Sequence, residues 1–240
     1  MESKNGGQEA PQKTALVTGG SKGIGFAIAK RFLSEGFRVV ICARSEESLA
    51  QAFEQEQCLD GRVCDVSSSD AVAGLAAELS LVYGALDVLV NNAGVYEPGQ
   101  LMTEPDGALE RMLDANVKGA YFMARSFAPA MADRKRGSIF NICSTASIVA
   151  YENGGSYCIA KHALLGFSKV LREEMKPHGV RVTSVIPGAT LTASWDGVDL
   201  PPERLMRPED VADAVWAAYA LSDRAVVEEI VMRPQLGDIA

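Results

Sequence analysis

Seven short apolar runs, separated by stretches of helical spacing, constrain this chain more than any other feature. Thr14–Val17, Arg38–Cys42, Arg62–Cys64, Asp87–Val90, Ser138–Cys143, Arg181–Ile186 and Glu229–Met232 read as strands. Most hold Val, Ile, Leu or Phe side by side rather than in alternation, as strands covered on both faces do. Between them, apolar residues recur at three- and four-residue intervals. Phe26, Ile28, Ala29, Phe32 and Leu33 form one such set, which stops at Gly36. Glu46–Glu56 is a second, and Ser68–Tyr83 a third, with Ser68 or Ser69 as its N-cap. A long helix from about Asp106 to Ala132 is expected to bend near Asn116 or Gly119. The helix that opens at Ser156 carries Leu164, Leu165, Phe167, Val170, Leu171 and Met175 before Pro177 stops it. Pro208, a good first helical residue, opens the last helix, which runs to about Leu221. Strands alternating with helices predict an α/β fold: one domain, with a doubly wound, mostly parallel sheet of the Rossmann type.

Ligands of such folds lie beyond the carboxyl ends of the strands. The distinctive residues of this chain fall there: Gly19–Gly25, Arg44, Asp65, Asn91–Gly94, Ser144 and Pro187–Thr192. After the first strand, Gly19, Ser21, Lys22, Gly23, Ile24 and Gly25 form a glycine-rich turn that leads into a helix. Such a turn lets the backbone approach a pyrophosphate, which the free N–H groups of the helix start attract. At the end of the second strand, sites for NAD often carry an acid for the ribose 2′-hydroxyl. Here Ala43 and Arg44 stand there, with no carboxylate before Glu46, and Lys22 lies in the glycine turn. Two cations and no acid suit the 2′-phosphate of NADP, the alternative being two solvated surface charges. Asp65 is a candidate for the adenine amino group, beside the backbone of Val66, or else a helix N-cap.

Tyr157 and Lys161 stand four residues apart at the start of a helical pattern, and so lie on one helix face. A free phenol, with a pKa of about 10, is a poor base at neutral pH, and a fixed ammonium beside it favours the phenolate. The pair is therefore suited to exchange a proton with an alcohol or a carbonyl. Taken alone, the same spacing describes two residues exposed on a surface helix.

Composition narrows the partners. The net charge of −8 argues against nucleic acid and anionic membranes. Five scattered cysteines without a CxxC, and only His162 and His178, supply no zinc set. The cysteine count and the lack of a secretory signal point to reduced thiols and a cytoplasmic protein. The most apolar window, Ala71–Val90, contains Gly74, Glu78, Gly84 and Asp87, and divides into helix, turn and strand rather than a membrane span. Met1–Lys13 reads as a flexible arm ahead of a domain over 14–240, with a short substrate loop at about 189–207.

Six motifs occur in order: Thr18-Gly19-x3-Gly23-x-Gly25, Asn91-Asn92-Ala93-Gly94, Asn116, Ser144, Tyr157-x3-Lys161 and Pro187-Gly188-x3-Thr192. In these the chain resembles the short-chain dehydrogenase/reductase superfamily, over essentially Lys13–Met232. The resemblance implies that Tyr157 is the general acid/base and that Ser144 hydrogen-bonds the substrate oxygen. Lys161 would hold the nicotinamide ribose and depress the Tyr157 pKa, and Asn116 would anchor a water relaying protons to Lys161. Asn91, Ala93 and Gly94 would line the ribose side of the cofactor, although a buried Asn91 also suits tying strand ends together. Thr192 and the backbone after Pro187 and Gly188 would meet the carboxamide. Lys22 and Arg44 look like the NADP-preferring subset, and a homotetramer or homodimer built partly from the two long helices is implied. Cys143 stands where a second serine is common, and the C-terminal run lacks a glycine-rich ending.

The expected activity is NADP(H)-dependent hydride transfer between nicotinamide and a carbonyl or alcohol, as in a carbonyl reductase. Val95, Tyr96, Ala146, Tyr151, Glu152 and Trp195 are candidates for the substrate wall and favour a hydrophobic or aromatic carbonyl. Two rivals share the motifs. A 3-oxoacyl-carrier-protein reductase needs a basic site mouth for its acidic carrier. Segment 189–207 offers it only Arg204 and Arg207 against Asp196, Asp199 and Glu203. A non-catalytic NADP(H)-binding regulator usually lacks the tyrosine or the lysine.

Overall fold

The computed structural model describes residues 12–195 and 197–239. Seven parallel strands form one sheet: β1 (Thr14–Thr18), β2 (Arg38–Ala43), β3 (Asp60–Val63), β4 (Val88–Asn91), β5 (Gly137–Ile142), β6 (Val180–Pro187) and β7 (Glu229–Met232). Their order is β3-β2-β1-β4-β5-β6-β7. The chain starts in mid-sheet, winds out to β3, then returns to the other side of β1 and winds the opposite way. That reversal opens a crevice between the ends of β1 and β4, where such sheets bind ligands.

Helices α1 (Gly23–Ser34), α2 (Glu46–Gln55) and α7 (Pro208–Tyr219) cover one face, and α3 (Ser69–Tyr83), α5 (Gly119–Asp133) and α6 (Gly155–Met175) the other. The central strands feed both layers, because successive side chains point to opposite faces. Val17, Ile41 and Val90 pack with Ile28, Phe32 and Val215, whereas Leu16, Val40 and Leu89 pack with Leu79, Met123 and Met131.

The strand and helix readings agree with the fold to within a few residues, with one instructive slip. Strand β3 occupies Asp60–Val63, two residues before the expected start, and pairs with β2 through Asp60, Gly61 and Arg62. Asp60 and Arg62 are polar because β3 is the sheet edge. Their side chains form an ion pair, extended to Tyr83 and Glu78 of α3. The regular winding of the long helix is interrupted at Asn116. Between α4 (Ala108–Leu113) and α5, Asp114–Lys118 forms a π-turn, whose extra residue turns the Asn116 side chain inward, where it is buried. Ser68 caps α3 by accepting from the Ala71 N–H.

A polar row crosses the middle of the sheet at a single register. Asn91 of β4 pairs with Asn141 of β5, and Asn141 with Ser184 of β6. Asn91 Nδ2 donates to Asn141 Oδ1 at 2.8 Å, and Asn141 Nδ2 donates to Ser168 Oγ at 2.9 Å. Ser184 donates to the same Ser168 hydroxyl at 2.8 Å. Ser168 belongs to α6, so the row fixes that helix to the sheet. Residues Met1–Pro11 of the expected arm lie outside the described residues. Gln12 Nε2 donates to the Gly36 carbonyl, and Lys13 Nζ to the Tyr219 hydroxyl. Among the described residues no helix is long and apolar enough to cross a membrane.

Candidate active site

The carboxyl ends of the strands open into a single cleft of about 2340 Å³. Gly19, Ser21, Lys22, Gly23 and Ile24 line it where β1 passes into α1. Gly25 does not reach the cleft surface. A side chain there would overlap Asn92 Nδ2 and the Gly19 carbonyl, so this glycine is what lets the turn fold so tightly. Thr18 and Asn92 knit the turn to the end of β4. The Thr18 hydroxyl accepts from the N–H groups of Asn92 and Ala93, and Asn92 Nδ2 donates to the carbonyls of Thr18 and Gly19 at 3.0 Å. Asn92 stands inside the Asn-Asn-Ala-Gly motif, and its part in the turn shows only in the fold.

Asn91 is the counter-case. Its side chain points to the opposite side of the sheet, into the polar row with Asn141, and does not line the cleft. Its amide Nδ2 makes the tie between strand ends, while its Oδ1 has no hydrogen-bond partner among the described residues. Ala93 and Gly94 do line the cleft, as do Arg44, Asp65, Val66, Pro187, Gly188 and Thr192. Asp65 is not a helix cap. Its carboxylate accepts from the Ser67 hydroxyl at 2.7 Å and from the Ser67 N–H at 3.0 Å, bonds that hold its pKa below the usual range, helped by the Arg44 charge.

Ser144, Tyr157 and Lys161 converge deeper in the cleft. Ser144 follows β5 and opens a short 3₁₀ turn, Thr145–Ser147. Its hydroxyl accepts from the Ala146 N–H at 3.2 Å, and its own N–H donates to Ser147 Oγ at 3.2 Å. Tyr157 stands near enough that the Ser144 hydroxyl draws its pKa down. Tyr157 and Lys161 rise from the first two turns of α6. Lys161 Nζ donates to the Ile142 carbonyl at 3.1 Å and lies 5.7 Å from the centre of the Tyr157 ring.

The electrostatics differ from the expectation that Lys161 depresses the Tyr157 pKa. Burial pushes the phenol up to about 12, and Ser144 is the group that pulls it back. Burial lowers the pKa of Lys161 itself to about 8, opposed by the Cys143 thiol. Desolvation is the largest cause for both groups, and at neutral pH the phenol holds its proton.

Asn116 Nδ2 donates to the carbonyls of Val95 (3.0 Å) and Met112 (3.1 Å), while its buried Oδ1 has no hydrogen-bond partner among the described residues. A Cβ on Gly94 would stand 2.5 Å from that oxygen and 3.7 Å from Lys161 Nζ, so glycine leaves a polar gap between the two. On the substrate side, Val95, Tyr96, Tyr151, Glu152 and Trp195 line the cleft, whereas Ala146 is buried behind it. Tyr96 packs edge-to-face on Tyr157, with centroids 4.9 Å apart. Asp238 and Ile239 also reach the cleft, which the sequence reading missed. Arg204 donates to the carbonyls of Gly237 and Asp238 and folds the chain end back over the mouth.

The family model for short chain dehydrogenase matches residues 13–200. The sepiapterin reductase of Chlorobaculum tepidum is 35% identical over 236 residues, which covers 93% of this chain and 97% of that protein. A metagenomic short-chain oxidoreductase, solved in complex with NADP, superposes with a TM-score of 0.81 at 36% identity, over 93% of this chain and 97% of that one. For a variant actinorhodin polyketide ketoreductase, solved with NADPH, the TM-score is 0.84 at 31% identity, over 92% and 95%. With the glycine turn, the serine, the tyrosine and the lysine gathered in one crevice of a doubly wound sheet, this chain belongs to the short-chain dehydrogenase family.

Proposed function

We propose that the protein is an NADP(H)-dependent carbonyl reductase acting on a hydrophobic or aromatic carbonyl. The observation that carries this reading is the convergence of Ser144, Tyr157 and Lys161 in a cleft whose other end holds Lys22 and Arg44. The residues fit a nicotinamide dinucleotide. The glycine turn is closed by Asn92 and opens on a helix start, Arg44 faces the cleft beside Asp65, and the orphaned Asn116 Oδ1 calls for a polar partner beside Lys161. Related proteins solved with NADP or NADPH support the same cofactor.

Bound there, NADPH supplies the hydride. Ser144 and Tyr157 hold the carbonyl oxygen between two hydroxyls, and Tyr157, protonated at neutral pH, gives it the proton. Lys161 and Asn116 border the path by which Tyr157 regains that proton. Tyr96, Tyr151 and Trp195 offer aromatic surface to a flat or apolar substrate. Arg204 and Arg207 are engaged within the chain, with the C-terminal carbonyls and with Asp210, which weighs against docking of an acidic carrier protein. All five cysteines are free thiols, which supports a cytoplasmic setting. A homotetramer or homodimer is part of the proposal. On α6, Ile159, Ala163, Gly166 and Val170 form an exposed stripe of apolar and small residues at heptad-like spacing.

An NADPH-oxidation screen over ketones, aldehydes, quinones and acyl thioesters tests the activity. Tyr157→Phe is expected to abolish turnover on the best substrate while leaving NADPH affinity within a few-fold. Each charge-assisted contact to the 2′-phosphate is worth about 1.5–3 kcal/mol, so NADPH should bind at least tenfold more tightly than NADH. Equal affinities, or an active Tyr157→Phe enzyme, would overturn the reading.

A further inference from the structure

The start of the helix that carries Tyr157 is held by a side chain from another part of the chain. Glu104, on the loop between β4 and α4, accepts from the Ser156 N–H at 2.9 Å through one oxygen and from the Ser156 hydroxyl through the other. Ser156 is buried and immediately precedes Tyr157. The first N–H groups of a helix have no partner inside it, and a carboxylate there satisfies them and complements the helix dipole. Here that partner comes from 52 residues away, so it fixes α6 in space and does not merely extend it. The fit is close on both sides. Gly155 has a φ of +29°, and a side chain there would overlap both Glu104 Oε1 and the Gly99 carbonyl. Gly99 donates its N–H to the Asn153 carbonyl at 2.9 Å, joining the same loop to the residues just before α6.

The loop meets the catalytic tyrosine a second time. Tyr96, at its beginning, packs edge-to-face on the Tyr157 ring. Between Tyr96 and Glu104, the loop therefore grips Tyr157 through its ring and through the backbone just ahead of it. Farther along, α6 is fixed separately, by Ser168 in the polar row.

We infer that Glu104 is a positioning residue for the reaction: it sets where α6 begins and so keeps the Tyr157 hydroxyl in line with Ser144. The inference rests on the reading of Tyr157 as the acid/base. A displacement of about 1 Å at a reacting group costs on the order of a hundredfold in rate, so losing this anchor should be felt in turnover before it is felt in binding.

The test compares Glu104→Ala, Glu104→Gln, Ser156→Ala and Tyr157→Phe for kcat, KM, NADPH affinity and melting temperature, using a carbonyl substrate from the screen. Glu104→Ala should lower kcat by roughly 10- to 100-fold, with KM and NADPH affinity within about threefold of wild type. Glu104→Gln should recover most of kcat, because the amide still accepts from the Ser156 N–H and donates to its hydroxyl. Ser156→Ala, which keeps the backbone bond, should fall between, and adding it to Glu104→Ala should cost little more. If Glu104→Ala does not fold, the Gln and Ser156→Ala variants carry the comparison by themselves. Wild-type kcat in Glu104→Ala with a lower melting temperature, or no recovery in Glu104→Gln, overturns the inference. These outcomes count only against an inactive Tyr157→Phe; an active one overturns the acid/base reading instead.

Discussion

Lys161 keeps a charge where burial opposes it: its pKa falls from 10.5 to about 8, a penalty on the order of 3 kcal/mol while it remains protonated. Between pH 8 and 10.5 the unfolded chain still holds this proton and the folded protein does not, so stability contributed by this residue rises with pH across that window. Buried thiols act in the opposite direction. The pKa of Cys42 is raised to about 12 and that of Cys143 to about 11, so both favour the folded state less as pH climbs past 9. Comparing wild type with Lys161→Met cancels those shared contributions. Without cofactor, the variant should melt higher than wild type at pH 7, and the gap should close by about pH 10. Thermal unfolding followed by circular dichroism reads it, and a gap independent of pH would refute the assignment. The same residues mark a limit of sequence reading. Spacing gives the Tyr157–Lys161 pair but not its depth, and depth decides which way each pKa moves.

At the level of elements, the strands and helices are legible because both faces of the sheet are covered and the central strands are rich in Val, Ile and Leu. Strand β3 was placed late because an edge strand carries polar side chains, and Asp60-Gly61-Arg62 looks like a turn until its partners in α3 are known. Helix length points to an irregularity near Asn116, whereas its π geometry is not legible, since no local sequence rule specifies it. Glu104 and the Asp238–Ile239 wall were invisible because each acts on an element distant in sequence. Two glycines show how context reverses the effect of one methyl group. In Gly25→Ala the new Cβ would overlap the Gly19 carbonyl, so a loss of about 1–3 kcal/mol and weaker NADPH binding are expected. In Gly74→Ala, within α3, nothing lies within 4 Å, and a gain of about 0.5–1 kcal/mol should follow from helix propensity. Denaturant titration of both variants checks the opposite signs.

For the molecule as a whole, the stripe on α6 is the surface that bears on assembly. Ile159 is 42% and Val170 58% exposed, with Ala163 and Gly166 between them allowing close approach of another helix. Sedimentation should find wild type as a dimer or tetramer, and Val170→Glu should shift it to a smaller species with little change in secondary structure. A monomeric wild type would remove the oligomer from the proposal.

The polar row across β4, β5 and β6 has a consequence for how this chain avoids folding wrongly. Neighbouring parallel strands here are joined through long crossovers, so each pairing must be found late and over a large sequence distance. The apolar runs are alike enough to pair out of step. A shift of one residue between β4 and β5 would set Asn91 opposite Phe140 or Ile142 in a dry interior. Two amides would lose their partners, at about 1–3 kcal/mol each, while the aliphatic contacts would hardly distinguish the alternatives. Asn91, Asn141 and Ser184 thus work as a proofreading mark: they add little to the native energy and make its nearest competitors expensive. Because Ser168 reads the same mark from α6, the helix that carries Tyr157 and Lys161 can dock fully only on a sheet already in step.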